Sequence, residues 1–96
     1  MMSSEFEWDE SKSNACFEAR GFDFAYALHV FLDTHHLARK DHRWDYGEDR
    51  FQILGSIDGR AYLVVFTLRS KTVRIISARK ANQREVMAYE NSPRKD

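Results

Sequence analysis

The chain is expected to fold as one small α/β (α+β) domain, with two N-terminal helices, strands joined by hairpins and a C-terminal helix. Three observations predict this class. Asp58-Gly59 lies between two apolar runs and supplies both positive-φ residues of a two-residue type I′ hairpin, which would pair Ile57 with Arg60. The run from Ala61 to Leu68 is apolar on both faces, the pattern of a central strand covered at least in part on two sides. Ahead of that hairpin, Phe24, Ala27, Leu28 and Phe31 fall at the i, i+3, i+4, i+7 spacing of one helical face. With 96 residues, 43% of them hydrophobic and 14% aromatic, the chain fills a single core, so residues 1–96 are read as one domain.

Taken in order, Phe6-Glu7-Trp8 alternates apolar and acidic side chains and reads as a short first strand. Asp9 has the character of a helix N-cap, and the stretch from Glu10 to Arg20 lacks proline and glycine until Gly21 supplies a C-terminal stop. Asp23 then caps the second helix. Thr34 to Gly47 is polar, with an edge strand expected around Leu37 and a surface loop after it. Asp49 to Ile57 resumes strand character. After the central strand, Arg69-Ser70-Lys71 turns the chain back into a last strand over Thr72–Ala78. Ala81 to Glu90 is rich in helix formers, with Val86 and Tyr89 on one side, and a polar tail over residues 91–96 contains the single proline, Pro93.

The net charge is zero, but residues 1–58 carry twelve acidic and six basic side chains, whereas residues 59–96 carry three and nine. A chain polarised in this way can present a cationic surface to a polyanion. The stretch Thr67–Ala81 concentrates five of the fifteen cations, Arg69, Lys71, Arg74, Arg79 and Lys80, on what should be strand. Arginine in a strand must find an anion or stay hydrated, so cations held on a sheet point to a phosphate site. The lone cysteine, Cys16, excludes an intrachain disulfide framework and is expected as a free, buried thiol in a reducing compartment. The N-terminus has neither the basic start nor the apolar run of a signal peptide, so a soluble, cytoplasmic protein without membrane contact is expected.

Several chemistries lack their residues. His35, His36 and His42 have no ligand spacing and no accompanying cysteine pair, so no metal is expected. No serine sits in a glycine-flanked elbow, and the four glycines are isolated, which leaves no phosphate-cradling loop and no cofactor expected. The cationic strands and the polar loop remain. Cleavage of RNA by its own 2′-hydroxyl needs a base, positive charge on the phosphorane and an acid for the leaving 5′-oxygen. Arg69, Arg74 and Arg79 are candidates for the charge, and Glu48 and His42 for the proton transfers. Arg50, Lys71, Lys80 and Arg20 are candidates for binding the RNA backbone, and Trp44, Tyr46 and Tyr62 for stacking a base. Each has a purely structural alternative: Arg50 or Arg74 pairing with Glu48 or Asp49 across the sheet, or Lys80 on a solvated helix face.

Read as an ordered set, Phe6-Glu7-Trp8-Asp9 with Lys12, Gly21, Phe24, Val30-Phe31-Leu32-Asp33, Tyr46-Gly47-Glu48-Asp49-Arg50-Phe51 with Gly55, Phe66-Thr67-x-Arg69, Arg74-Ile75-Ile76-Ser77-Ala78-Arg79-Lys80-Ala81, Glu85 and Tyr89 resembles the BrnT family of bacterial type II toxins. The likeness spans about Phe6 to Tyr89. It implies a RelE/ParE-like fold, a mainly antiparallel twisted sheet with the two N-terminal helices packed on one face, and an endoribonuclease that stops translation. It also implies neutralisation by BrnA, a ribbon-helix-helix antitoxin through which such complexes reach operator DNA; with no exposed apolar heptad in the sequence, the isolated chain is expected to be a monomer. Arg69, Arg74 and Arg79 are the best matches to the activity-bearing residues of such toxins. One segment departs from the family, which usually closes helix one with Asn-x-x-Lys-His-Gly. Here it reads Cys16-Phe17-Glu18-Ala19-Arg20-Gly21, in which Arg20 can bind phosphate but cannot act as a base near neutral pH. The rival reading is a non-catalytic module, either a decayed toxin that still binds its antitoxin or a nucleic-acid-binding protein.

Overall fold

The structure, a computed structural model, describes residues 5–43 and 47–93. Strand β1 (Phe6–Trp8) leads into helix α1 (Glu10–Arg20). Helix α2 (Phe24–Ala27) runs into a 3-10 turn over Leu28–Leu32, followed by β2 (Leu37–Asp41), β3 (Arg50–Ile57), β4 (Arg60–Arg69), β5 (Thr72–Lys80) and α3 (Gln83–Asn91). The five strands form one mixed sheet in the order β1-β5-β4-β3-β2, with β1 parallel to β5 and every other pair antiparallel. The doubly apolar strand β4 is central, as its sequence requires.

Local chemistry sets the boundaries. The Asp9 carboxylate accepts the backbone N–H of Ser11 at 2.9 Å and of Lys12 at 3.3 Å, and Gly21, at φ 84°, closes α1 by donating its N–H to the Phe17 carbonyl at 2.8 Å. Asp23 caps α2 through the Tyr26 N–H at 2.9 Å. The sequence predicted one continuous helix from this point, but the α-helix lasts four residues before tightening to 3-10 geometry. The tightening occurs where the chain lies directly on β3. A Cβ on Gly55 would sit 2.9 Å from both the Cβ and the carbonyl oxygen of Val30, so only glycine lets the two backbones approach this closely.

Asp58 (φ 50°) and Gly59 (φ 80°) form the expected two-residue turn, and Ile57 faces Arg60. The second hairpin is also a two-residue turn, Ser70-Lys71, shorter than the three residues expected, with Ser70 at φ 57° and Arg69 opposite Thr72. The last strand extends to Lys80, two residues past the expected Ala78, and α3 keeps Asn91, which the sequence reading placed in the tail.

Two apolar clusters lie on the two faces of the sheet. One joins Cys16, Phe22, Phe24, Ala27 and Val30 to the strand residues Ile53, Tyr62, Val64, Ile75 and Ala78. The other joins Leu54, Leu63, Ala61 and Leu37 to Ala81, Val86 and Tyr89 of the α3 segment. Cys16 is a free, buried thiol, its Sγ 3.5 Å from the Ala78 carbonyl oxygen, and burial pushes its pKa up.

One irregularity decides where the arginines point. Arg74 and Arg79 are five residues apart, and strict alternation would put them on opposite faces. The β4–β5 register shifts between Val65, opposite Ser77, and Phe66, opposite Ile75, which leaves Ile76 as the extra residue of a bulge. The bulge resets the alternation, so Arg74, Ser77 and Arg79 share the face that carries α3.

Candidate nucleic-acid interface

The register builds this face in rows across the strands. Glu7 of β1, Arg74 of β5, Thr67 of β4, Arg50 of β3 and Asp41 of β2 stand side by side, one from each strand. The next row is Ser77, Val65, Gln52 and Arg39, and the third is Arg79, Leu63, Leu54 and Leu37. Leu37, Leu54 and Leu63 of the third row pack with Val86 and Tyr89 of α3, so the helix covers that end of the face and leaves the charged first row beyond it. Thr67, 1% exposed, forms part of the floor and donates its hydroxyl to the Asp49 carbonyl at 2.6 Å.

The cations on this face are engaged with carboxylates to different extents. Arg74 Nη1 meets Glu7 Oε2 at 3.1 Å. Glu48 stands between two guanidiniums, 3.5 Å from Arg50 Nε and 3.6 Å from Arg69 Nη2. Arg79 is held by both oxygens of Glu85 at 2.8 and 2.9 Å. Glu85 also accepts the Asn82 N–H at 2.9 Å while Asn82 accepts the Glu85 N–H at 2.8 Å, so the capping box of α3 and the Arg79 clamp share one carboxylate. This pairing raises the Arg79 pKa and lowers that of Glu85. At the β2 end, Arg43 binds both oxygens of the buried Asp41 at 2.9 Å and holds its carboxyl down at about 2. Arg39 Nε donates to Gln52 Oε1 at 2.9 Å.

The predicted site residues therefore divide. Arg50, Arg69, Arg74 and Glu48 come together, with Arg79 two rows away and bound to α3. Lys71 is exposed in the Ser70-Lys71 turn at the near end of the strands, and His42 is exposed immediately after Asp41. Lys80 lies on the other face, opposite Tyr62, in a cleft that Arg20 also lines. The structure contradicts the stacking role for Tyr62, which is buried with its ring edge-on to Phe22 and Tyr26 at centroid distances of 5.0 and 5.8 Å. Trp44 and Tyr46 lie outside the described residues. Sequence reasoning missed Glu7, Thr67, Asp41 and Glu85 as site neighbours. Alternation in Phe6-Glu7-Trp8 places Glu7 away from the core, but its partner could not be read without the parallel pairing of β1 with β5.

Motif segments distant in sequence meet as ion pairs, Glu7 with Arg74 and Glu48 with Arg69, while Glu48 with Arg50 and Arg79 with Glu85 pair locally. Asp33 takes the Ser56 N–H at 2.8 Å and also the Tyr89 hydroxyl. A family model described as the ribonuclease toxin BrnT of type II toxin-antitoxin systems matches residues 8–85. The chain belongs to the BrnT family. Its family is thus one of ribonuclease toxins, which work opposite an antitoxin partner. The matched span includes every candidate cation and carboxylate of the face except Glu7. No curated protein matches the chain. No helix among the described residues is long and apolar enough to cross a membrane.

Arginine rows of this kind suit a phosphodiester undergoing attack by its neighbouring hydroxyl. A guanidinium presents five donors, and Arg74 and Arg69 each use only part of that set on a carboxylate. Arg79 has both terminal nitrogens committed to Glu85. Arg74 and Arg69 can thus meet phosphate oxygens without giving up their carboxylates, whereas Arg79, which also donates to the Lys80 carbonyl, has fewer donors to spare.

Proposed function

We propose that this chain is a metal-independent endoribonuclease of RelE/ParE-like fold that cleaves RNA on the charged row, stops translation, and is neutralised by a BrnA-like ribbon-helix-helix antitoxin. The observation that carries this reading is the convergence of Arg50, Arg69, Arg74 and Glu48 on one open sheet face. In the mechanism, the scissile phosphate lies across Arg69 and Arg74, whose charge stabilises the phosphorane as it forms. Glu48, an anion held between two guanidiniums, takes the proton of the attacking 2′-hydroxyl. His42, exposed beside the β2 end of the row, gives a proton to the departing 5′-oxygen. Lys71 and Arg50 neutralise flanking phosphates.

The toxin works in the cytoplasm, is monomeric by itself, and reaches operator DNA only through the antitoxin. Expression of the chain in a bacterium tests the reading. The parent chain should arrest growth, and an Arg74→Ala, Arg79→Ala double variant that accumulates to the same level should not. Absence of arrest by the parent, or equal arrest by both, overturns the assignment.

A further inference from the structure

On the opposite face, where α1 ends, Arg20 and Lys80 line an open cleft of about 390 Å³ together with Phe17, Tyr26, Tyr62 and Asp23. Three features distinguish it from the charged row. First, Arg69, Arg74 and Arg79 each hold a carboxylate, whereas Arg20 and Lys80 form no ion pair among the described residues. The charge of these two cations is therefore fully available to an anion, whereas on the row each guanidinium is partly neutralised by its carboxylate. Second, the carboxylate in the cleft, Asp23, caps α2 through the Tyr26 N–H at 2.9 Å and forms no ion pair with Arg20 or Lys80. Third, Phe17 is 57% exposed, a costly state for a phenyl ring on a small domain, and lies three residues before Arg20 on the same side of α1. Tyr26, half-buried, stands across the cleft with its ring packed edge-on against Tyr62.

A plane of exposed aromatic surface beside two unpaired cations matches the two halves of a nucleotide, a base to stack and a phosphate to neutralise. We propose that this cleft binds a nucleotide unit of RNA, its phosphate between Arg20 and Lys80 and its base against Phe17 and Tyr26, as a contact separate from the cleavage row. The separation is built into the strands. Lys80 is on the other face and, with Ile76 bulged out, five ladder positions along the sheet from Arg74, roughly 17 Å away at about 3.3 Å per residue. The identity of the ligand rests on the ribonuclease reading, whereas the existence of the cleft and its unpaired cations does not.

The test uses the full chain and three probes that it cannot cleave: a 2′-O-methyl oligoribonucleotide, adenosine 5′-monophosphate and inorganic phosphate. Backbone amide NMR shifts report where each binds. The oligonucleotide should shift Phe17, Arg20, Gly21, Tyr26 and Lys80 saturably, in addition to residues of the charged row. An Arg20→Ala, Lys80→Ala variant should lose the first set, keep the second and bind about tenfold more weakly. Phe17→Ala should weaken the nucleotide and leave inorganic phosphate unchanged. All three side chains are exposed, so the variants should keep the parent's thermal midpoint.

Saturable shifts with the monophosphate as well would support the nucleotide unit and identify a free nucleotide as sufficient. Shifts with the oligonucleotide alone would support it as part of a longer chain. No shift at the α1 end with either probe overturns the proposal, as does inorganic phosphate binding as tightly as both. Failure of the ribonuclease reading is a different result, loss of shifts at Arg69 and Arg74 or an unaltered substrate RNA, and is scored separately.

Discussion

Arg74 and Arg79 sit on one strand and one face, yet they have different amounts of binding capacity to spare. Arg74 offers one nitrogen to Glu7, whereas Arg79 gives two to Glu85 and so ties β5 to α3. Arg74→Ala should therefore lower RNA cleavage by about 10²-fold or more, as expected for a charge that acts on the transition state, with little change in the urea midpoint. Arg79→Ala should instead cost about 1 kcal/mol of stability, because Glu85 loses its charged partner, and should reduce cleavage less than Arg74→Ala does. Parallel cleavage rates and urea melts of the two variants check this division.

The carboxylates make a second residue-level prediction. Arg43 holds Asp41 at about 2, below its ordinary 3.8, and the Arg79 pair lowers Glu85. Burial pushes Asp33 up, but hydrogen bonds from Tyr89 and from the His35 and Ser56 backbones outweigh it and leave the carboxyl below its ordinary value. Groups depressed in the folded state stabilise it above their unfolded pKa, and that stability is lost as pH falls through the folded values. Stability should be level above about pH 5 and fall between about pH 4 and pH 2. Asp41→Asn should be less stable than the parent at neutral pH and show a shallower decline in urea midpoints taken across that range.

At the scale of elements, what could be read from the sequence was local. Asp9, Gly21 and Asp23 cap helices by chemistry contained within a few residues, and Asp58-Gly59 sets its hairpin register by its own φ angles. What could not be read depended on distant contacts. Nothing in Arg74-Ile75-Ile76-Ser77 marks Ile76 as a bulge, because the shift is defined by its pairing with Val65 and Phe66. The candidate site was legible in its residue types and illegible in its faces: Lys80 and Arg20 were grouped with cations that the fold places on the other side. The switch from α-helix to 3-10 geometry at Leu28 was hidden for the same reason, since it accompanies contact with Gly55. Gly55→Ala should cost about 1–3 kcal/mol by pushing Val30 off β3, an overpacking effect read as a lowered urea midpoint without loss of cooperativity.

For the whole molecule, the acidic first part of the chain and the basic second part do not form two poles. Glu7 and Glu48 come from the acidic part, and they meet Arg74 and Arg69 from the basic part. The fold converts a charge asymmetry along the sequence into local ion pairs, leaving cations with spare donors on one face and unpaired cations at the end of α1. RNA binding by a chain of zero net charge should then depend on these few contacts. Three phosphate contacts on the charged row contribute about −2 to the slope of log affinity against log salt, and Lys71→Ala, which gives up a phosphate of its own, should be shallower by about 0.7.

In the proposed mechanism the row of Arg69, Arg74, Arg50 and Glu48 cleaves RNA through attack by the RNA's own 2′-hydroxyl. Incubation of the purified chain with RNA in the presence of a metal chelator, followed by analysis of the product ends, distinguishes this route from the alternatives. Fragments ending in 2′,3′-cyclic phosphate and 5′-hydroxyl should be formed by the parent chain and lost in Arg74→Ala. Intact RNA bound with a steep salt dependence, or cleavage that persists unchanged in Arg74→Ala, would contradict the mechanism.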